Sequence, residues 1–489
     1  MIARQFGADA LTDAFFVAFK IPNFMRRLFA EGAFSQVFVP VLAGYQAAGT
    51  DAMRHFLDKL AGCFMLVLAG ITLVGMVGAP VLMGLFAPGL YLKGTVFELA
   101  TLLLRITFPY LFFIALTAFA GGILNTAGHF AVPALTPILL NVCLIAACLW
   151  FADTLSVPVL ALAIGVLVAG ILQMAVQIPA LLRRGLLPCP RPDFTDEGVR
   201  RVGRLLLPAL LGASVQQINL LINTVLASLL VSGSLSWLYY SDRLLEFPLG
   251  IFGVALGTVI LPHLSACPFD TADKAASATL DWALRWVILI GVPASLGLGI
   301  LAEPLMLTLF EGTEFTRHDA DMAARSLMAY APGLVGFMAV KVLTPAFSAR
   351  QDMTTPARVA VQVVVANLLM SVFFASMLSP YGWGHAGLAL AVSLAAWFNA
   401  AALWWKLRRC GAYQPGSGWW LFLLRVGLAS AAMSLLLTGA VLPLPWAAHS
   451  TLWRAGHLGL WTGGGLLTCL AGLALTGLRP RHLLIIHRH

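Results

Sequence analysis

Long apolar runs, separated by short polar stretches, organise the whole chain. A run of about twenty such residues suits a helix that crosses a bilayer. Runs of this kind fall near 1–24, 33–48, 58–86, 97–124, 132–151, 157–182, 203–231 and 245–265. Others lie near 283–310, 325–347, 357–379, 385–405, 418–441 and 455–477. The first is short and the second weakly apolar. None shows the strict alternation of a membrane β-barrel. An all-α polytopic membrane protein with about fourteen transmembrane helices is therefore expected.

The pattern repeats once along the chain. Val37-Phe-Val-Pro40-Val-Leu42 returns as Val259-Ile-Leu-Pro262-His-Leu264, and Ala79-Pro80 with Phe86 returns as Glu303-Pro304 with Phe310. Phe108-Pro109-Tyr-Leu111 returns as Ala331-Pro332-Gly-Leu334, Pro133 as Pro356, and Ala161-Leu-Ala163 as Ala389-Leu-Ala391. The order is kept and the offset barely changes, which marks a duplication. Each half then holds six helices, an even number. The two lobes are expected to be related by a pseudo-twofold axis along the membrane normal, and the last two helices stand outside the repeat. The expected domains are 1–186, 187–410 and 411–489.

Composition sharpens this picture. Sixty per cent of the 489 residues are hydrophobic and 10% are charged, and the mean hydropathy is +0.90. Soluble domains carry about 25% charged residues, so too few charges exist here for a water-facing shell. The seven cysteines are scattered, with no C-x-x-C pair, and read as buried free thiols or small hydrophobes. No nucleophile elbow, Walker A loop or H-E-x-x-H motif occurs, and the loops leave no room for a catalytic domain. A non-enzymatic protein without a cofactor is expected.

The net charge of +9 is explained by topology. Arg54 and Lys59, the 183–204 linker, Lys274, Arg350 and Arg358, Lys406 to Arg409, and the tail fall on one set of connections. The alternate set holds little beyond Lys93, Arg317, Arg325 and Arg454. By the positive-inside rule the basic set, and both termini, are expected on the cytoplasmic side.

Charges that fall within or beside spans are costly and mark candidate chemistry. The segment from Asp13 to Gln36 carries Asp13, Lys20, Asn23, Arg26, Arg27 and Glu31. It is expected between the first two helices, on the outer side, with Pro22 and Gly32 breaking the helix. Either it is an exposed loop paired through Glu31, or Arg26 turns towards the space between the halves. The matching region of the second half holds Ser236, Asp242, Arg243 and Glu246. There Glu246 can pair with Arg243 at i,i+3. Guanidinium groups in both halves suit a phosphate-bearing, lipid-linked substrate, because Arg grips phosphate oxygens bidentately. Gln216, Gln217, Asn219 and Asn223 either line a cavity or join helices. A cation-coupled drug antiporter would want acids in the spans, which are scarce here. A non-transporting assembly scaffold is the other alternative.

The strings DAFFVAFKIPNFMRRLFAEGAFSQVFVPVLAGY, SGSLSWLYYSDRLLEFPLGIFGVALGTVILPHLS and KVLTPAFSARQDMTTP strongly resemble the MurJ (MviN) family of lipid II flippases. That family belongs to the multidrug/oligosaccharidyl-lipid/polysaccharide exporter superfamily. The resemblance covers nearly the whole chain. It implies transfer of lipid II, an undecaprenyl-pyrophosphate-linked disaccharide-pentapeptide, across a bacterial inner membrane, with membrane lipids and cell-wall synthesis machinery as partners. By the resemblance Arg26 and Arg243 match pyrophosphate-binding positions. Asp13, Lys20, Asn23, Arg27, Glu31, Ser236 and Glu246 match polar neighbours, and the last two helices match a groove for the lipid tail. Family members begin earlier, with further arginines, so the chain is expected to open inside the first helix. The run 357–379 lacks the acids of a sodium site seen in some members.

Overall fold

The computed structural model describes residues 1–30, 33–91, 94–253, 272–350, 352 and 354–478, except for the side chains of 27–30, 33, 35, 36, 48, 207–217, 253 and 272–275. Among the described residues the regular structure is helical throughout. The chain forms two compact units, Met1–Leu235 and Ser236–His489.

The first unit opens with α1 (Ile2–Phe6), α2 (Ala10–Ala30) and α3 (Ala33–Ala48). The run 1–24 is thus not one helix, which corrects the sequence expectation. Gly7, at φ 67°, ends α1. Thr12 then ties the corner together. Its hydroxyl donates to Phe6 O at 2.7 Å, while its N–H donates to Asp9 Oδ1 at 2.8 Å and so caps α2.

The segment from Asp13 to Arg26 is correspondingly not a connection between two helices but the body of α2. Pro22 does not break it. A proline removes the N–H that would bond to the carbonyl four residues earlier. Here that carbonyl, Ala18 O, lies 3.3 Å from the Thr107 hydroxyl, whose proton it shares with Leu103 O at 2.9 Å. Gly32, the other expected breaker, lies outside the described residues.

The unit continues through α4 (Thr50–Val77), α5 (Ala79–Phe86), α6 (Pro88–Tyr91), α7 (Thr95–Thr107) and α8 (Tyr110–Thr126). It ends with α9 (Ala131–Ala146), α10 (Leu160–Leu182) and α11 (Glu197–Ser228). Residues Ala14 to Phe19 of α2 are buried, packed on α7 and α8. Beside them Phe34, Phe38, Phe64 and Phe119 stack with centroids 5.0 to 6.2 Å apart. On α10 one face, including Leu162, Val166 and Ala169, is buried, while Ile164, Val168, Ile171 and Leu172 are exposed. An apolar exposed face on a helix of this length fits acyl chains as its surroundings.

In the second unit, apart from the first two residues of α12, come α12 (Ser234–Pro248), α13 (Ala272–Ile300), α14 (Ala302–Leu309), α15 (Arg317–Tyr330) and α16 (Gly333–Ala349). They are followed by α17 (Thr354–Leu378), α18 (Gly384–Arg409), α19 (Trp419–Val441) and α20 (Thr451–Leu475). The repeat reappears as structure: α5 and α14 have 8 residues each, and α8 and α16 have 17 each. Both pairs are separated by the same offset, Ala79 to Ala302 and Tyr110 to Gly333.

Among the described residues nine helices are long and apolar enough to span a membrane. The count is ten if the bent pair α15–α16 is one span. Most of the run 245–265 lies outside the described residues.

Candidate functional site

In the first unit the polar residues of α2 form a stripe. At about 100° per residue, Asp13, Lys20 and Asn23 share one face, and Arg26 follows Asn23 one turn on. Asp13 is buried, and its Oδ2 accepts the Gly233 N–H at 2.7 Å. That bond fastens the first turn of α2 to the turn that follows α11. Lys20 Nζ donates to Thr224 Oγ1 of α11 at 3.3 Å. Arg26 Nε donates to Asn23 Oδ1 at 2.9 Å, which sets the guanidinium on the helix. Asn219 and Asn223 lie partly exposed on α11, which packs against α2. Glu31 and the side chains of Arg27, Gln216 and Gln217 lie outside the described residues.

In the second unit Ser236 is fully buried. The expected i,i+3 pair is formed: Arg243 Nη1 donates to Glu246 Oε2 at 2.8 Å, with side chains 43% and 39% exposed. The guanidinium also lies over the Tyr239 ring, 4.9 Å from its centroid. Arg243 is thus held in place by a carboxylate and an aromatic face while still open to a ligand.

Other charges that read as topological also hold the structure together. Lys59 Nζ bridges Asp193 and Asp196 at 3.0 and 2.9 Å. The Thr195 hydroxyl, together with Lys59, holds the Asp193 carboxyl well below the ordinary carboxylate range. Burial opposes the charge on Asp196, but Lys59 and the Val199 N–H outweigh it, so this carboxyl is lowered too. Arg454, placed by the sequence in an outer connection, is buried in α20. It donates to Glu311 Oε2 through Nη1, and to Leu307 O at 3.2 Å and Ala447 O at 3.1 Å. On α13, Asp281 gathers four donors. Oδ1 accepts from Tyr413 Oη, Gly416 N and Trp419 Nε1, and Oδ2 from Arg285 Nε. Its place just ahead of the apolar run near 283–310, with Arg285 four residues on, was the signal that could have pointed to it. Among the described residues no cluster of side chains suits a metal ion.

The family model described as "Lipid II flippase MurJ" matches residues 2–456. A probable lipid II flippase MurJ of Vibrio cholerae is 42% identical over 99% of this chain and 93% of its own length. A lipid II flippase MurJ of Burkholderia cenocepacia is also 42% identical, over 91% and 86%. Among solved structures, a lipid II flippase MurJ in an inward closed conformation superposes with a TM-score of 0.81 at 26% identity, covering 97% of this chain and 94% of that one. An inward-facing multidrug MATE transporter shares the fold, with a TM-score of 0.66 at 15% identity, over 84% and 97%. With a family model spanning nearly all of its length and relatives this similar, the chain belongs to the MurJ family, whose members are multi-pass membrane flippases rather than enzymes.

Proposed function

We propose that this protein carries lipid II from the cytoplasmic to the periplasmic leaflet of the inner membrane by alternating access, with Arg26 and Arg243 as ligands of the pyrophosphate. Lipid II is amphipathic. Its polyprenyl tail can stay in lipid while the charged headgroup crosses, so the protein must solvate two phosphates inside the membrane. Guanidinium groups do this without losing their charge and pair two N–H groups with two oxygens. The observation that carries the reading is the stripe Lys20, Asn23 and Arg26 on a helix whose residues Ala14 to Phe19 are buried and apolar. Arg243, braced by Glu246 and Tyr239, supplies the second half's contribution. Asn23 suits hydrogen bonds to the headgroup, Ser236 is fully buried and does not offer one, and Arg27 and Glu31 belong to the same candidate set. The basic connections are assigned to the cytoplasmic face, with both termini there.

Losing one charge-assisted phosphate contact costs about 1.5–3 kcal/mol, or roughly ten- to a hundredfold in binding. Arg26→Ala and Arg243→Ala are each expected to fail to support growth in cells depleted of their own flippase, at normal protein levels. Normal growth of both variants would overturn the site. Purified protein in liposomes separates transport from scaffolding: labelled lipid II should change leaflets with the wild type and far more slowly with either variant.

A further inference from the structure

Trp237 stands six residues before Arg243 on α12, and it is almost completely buried. Its Nε1 donates to Asp319 Oδ1 of α15 at 2.9 Å. Its ring meets two imidazoles edge-on, His385 of α18 at 4.9 Å and His318 of α15 at 5.9 Å. One turn later Ser241 donates to Ala323 O of α15 at 2.7 Å. The first turns of the helix that bears Arg243 are thus fastened to α15 and seated on α18 by one histidine.

That histidine is fully buried, as is Ser326, whose Oγ lies 2.7 Å from His385 Nδ1. Nε2 has no hydrogen-bond partner among the described residues. A neutral imidazole tolerates this better than a charged one, because one nitrogen pairs with Ser326 and the ring packs edge-on against Trp237. An added proton makes both nitrogens donors and leaves one N–H⁺ without an acceptor. From α12 the group that faces His385 is Trp237. From α15 the titratable and charged groups are His318, Asp321 and Arg325, while Asp319 takes the indole N–H. Asp321 is engaged by Arg325 at 2.8 Å, and that guanidinium covers the Trp383 ring at 4.3 Å. Asp321, the carboxylate that faces His385, is thus already spent on Arg325.

We infer that His385 is a positioning residue for the arginine-bearing helix: its neutral imidazole seats Trp237 and holds the first turns of α12, and its protonation releases them. The consequence for transport rests on the proposed role of Arg243, whereas the latch itself does not.

The test is hydrogen exchange of residues 234–248 in the full-length protein in lipid nanodiscs, corrected for intrinsic rates, between about pH 7.5 and about pH 4. The wild type is expected to lose about tenfold in protection across this range. His385→Gln keeps a partner for Ser326 and takes no proton, so its profile should be flat. Trp237→Phe keeps the aromatic seat but loses the bond to Asp319. It should be less protected at neutral pH and still acid-sensitive. A flat wild-type profile overturns the inference. So does a full-sized acid loss in His385→Gln, which would place the titration on Asp319 or His318. Lipid II flipping by the same variants in liposomes forms a separate arm. Acid-insensitive flipping by His385→Gln supports the transport consequence. Acid-sensitive flipping beside a flat exchange profile removes that consequence and leaves the latch standing.

Discussion

Asp58 and Asp281 occupy equivalent places in the two halves, at the same offset that relates α5 to α14 and α8 to α16. Each accepts a backbone N–H from the linker that leaves its own half, Cys189 N at 2.7 Å and Gly416 N at 3.0 Å. Around that shared bond the chemistry differs. In the first half the helix supplies a cation, Lys59, and the linker supplies two carboxylates, Asp193 and Asp196. In the second half the helix carboxylate does most of the work, and the linker answers with a phenol and a main-chain amide, joined by the indole of Trp419 at the start of α19. Arg285 completes it, resting on Trp419 and Phe422. Duplication has preserved the task of holding a linker against a spanning helix, while the charge pattern drifted. The first clasp is an ion cluster with side chains 21–33% exposed. The second is a more buried hydrogen-bond hub.

That contrast can be broken most forcefully at Asp281. Asp281→Ala leaves three neutral donors without their acceptor and takes the carboxylate from Arg285, which keeps Ser417 O, and should cost about 3 kcal/mol, seen as a lower melting temperature in detergent. A change no larger than that of a surface substitution would show that the hub is not cooperative.

Next comes Gly62, where a Cβ would lie 2.4 Å from Pro192 N and cannot be accommodated without moving linker backbone. Gly62→Ala should cost about 2 kcal/mol and speed tryptic cleavage at Arg183, Arg184 and Arg191. Gly416→Ala meets a side-chain oxygen, Asp281 Oδ2 at 2.9 Å, and should do less.

The smallest effect is expected at Lys59. Lys59→Ala leaves two partly hydrated carboxylates, so exchange of the linker amides should rise about threefold and less in high salt. The pH dependence carries the opposite half of the comparison. Asp193 and Asp196 have lowered pKa values in the folded protein. Their contribution is therefore complete above the ordinary carboxylate range and is lost as pH falls towards their folded values. Exchange across 186–196 should accelerate in acid, and Lys59→Ala should flatten that response. An unchanged acid response in the variant would assign it to the Thr195 and backbone bonds alone.

Much of the fold was legible in the sequence because spanning helices are written locally, as length and apolarity. The duplication was equally legible, since five short matches kept their order. The α2 segment was misread for a reason of a different kind. Whether Pro22 breaks a helix depends on what becomes of Ala18 O, and Thr107, far along the chain, shares its proton between that carbonyl and Leu103 O. The end of α1 likewise depends on Gly7 and on the bond from Thr12 to Phe6, features that an apolar run conceals. At the candidate site the Arg243–Glu246 pair was predictable, because i,i+3 neighbours are set by helix geometry alone. The Lys20–Thr224 and Asp13–Gly233 bonds were not.

By itself, then, the sequence determined the solvent, the helical class, the repeat and the family. These follow from composition and from short-range order that survives any packing. Only the tertiary structure decided which charges are spent on architecture. Lys59 meets Asp196 across 137 residues and Arg454 meets Glu311 across 143. Such pairs depend on how each helix is rotated and where each linker lands, and no local pattern encodes either.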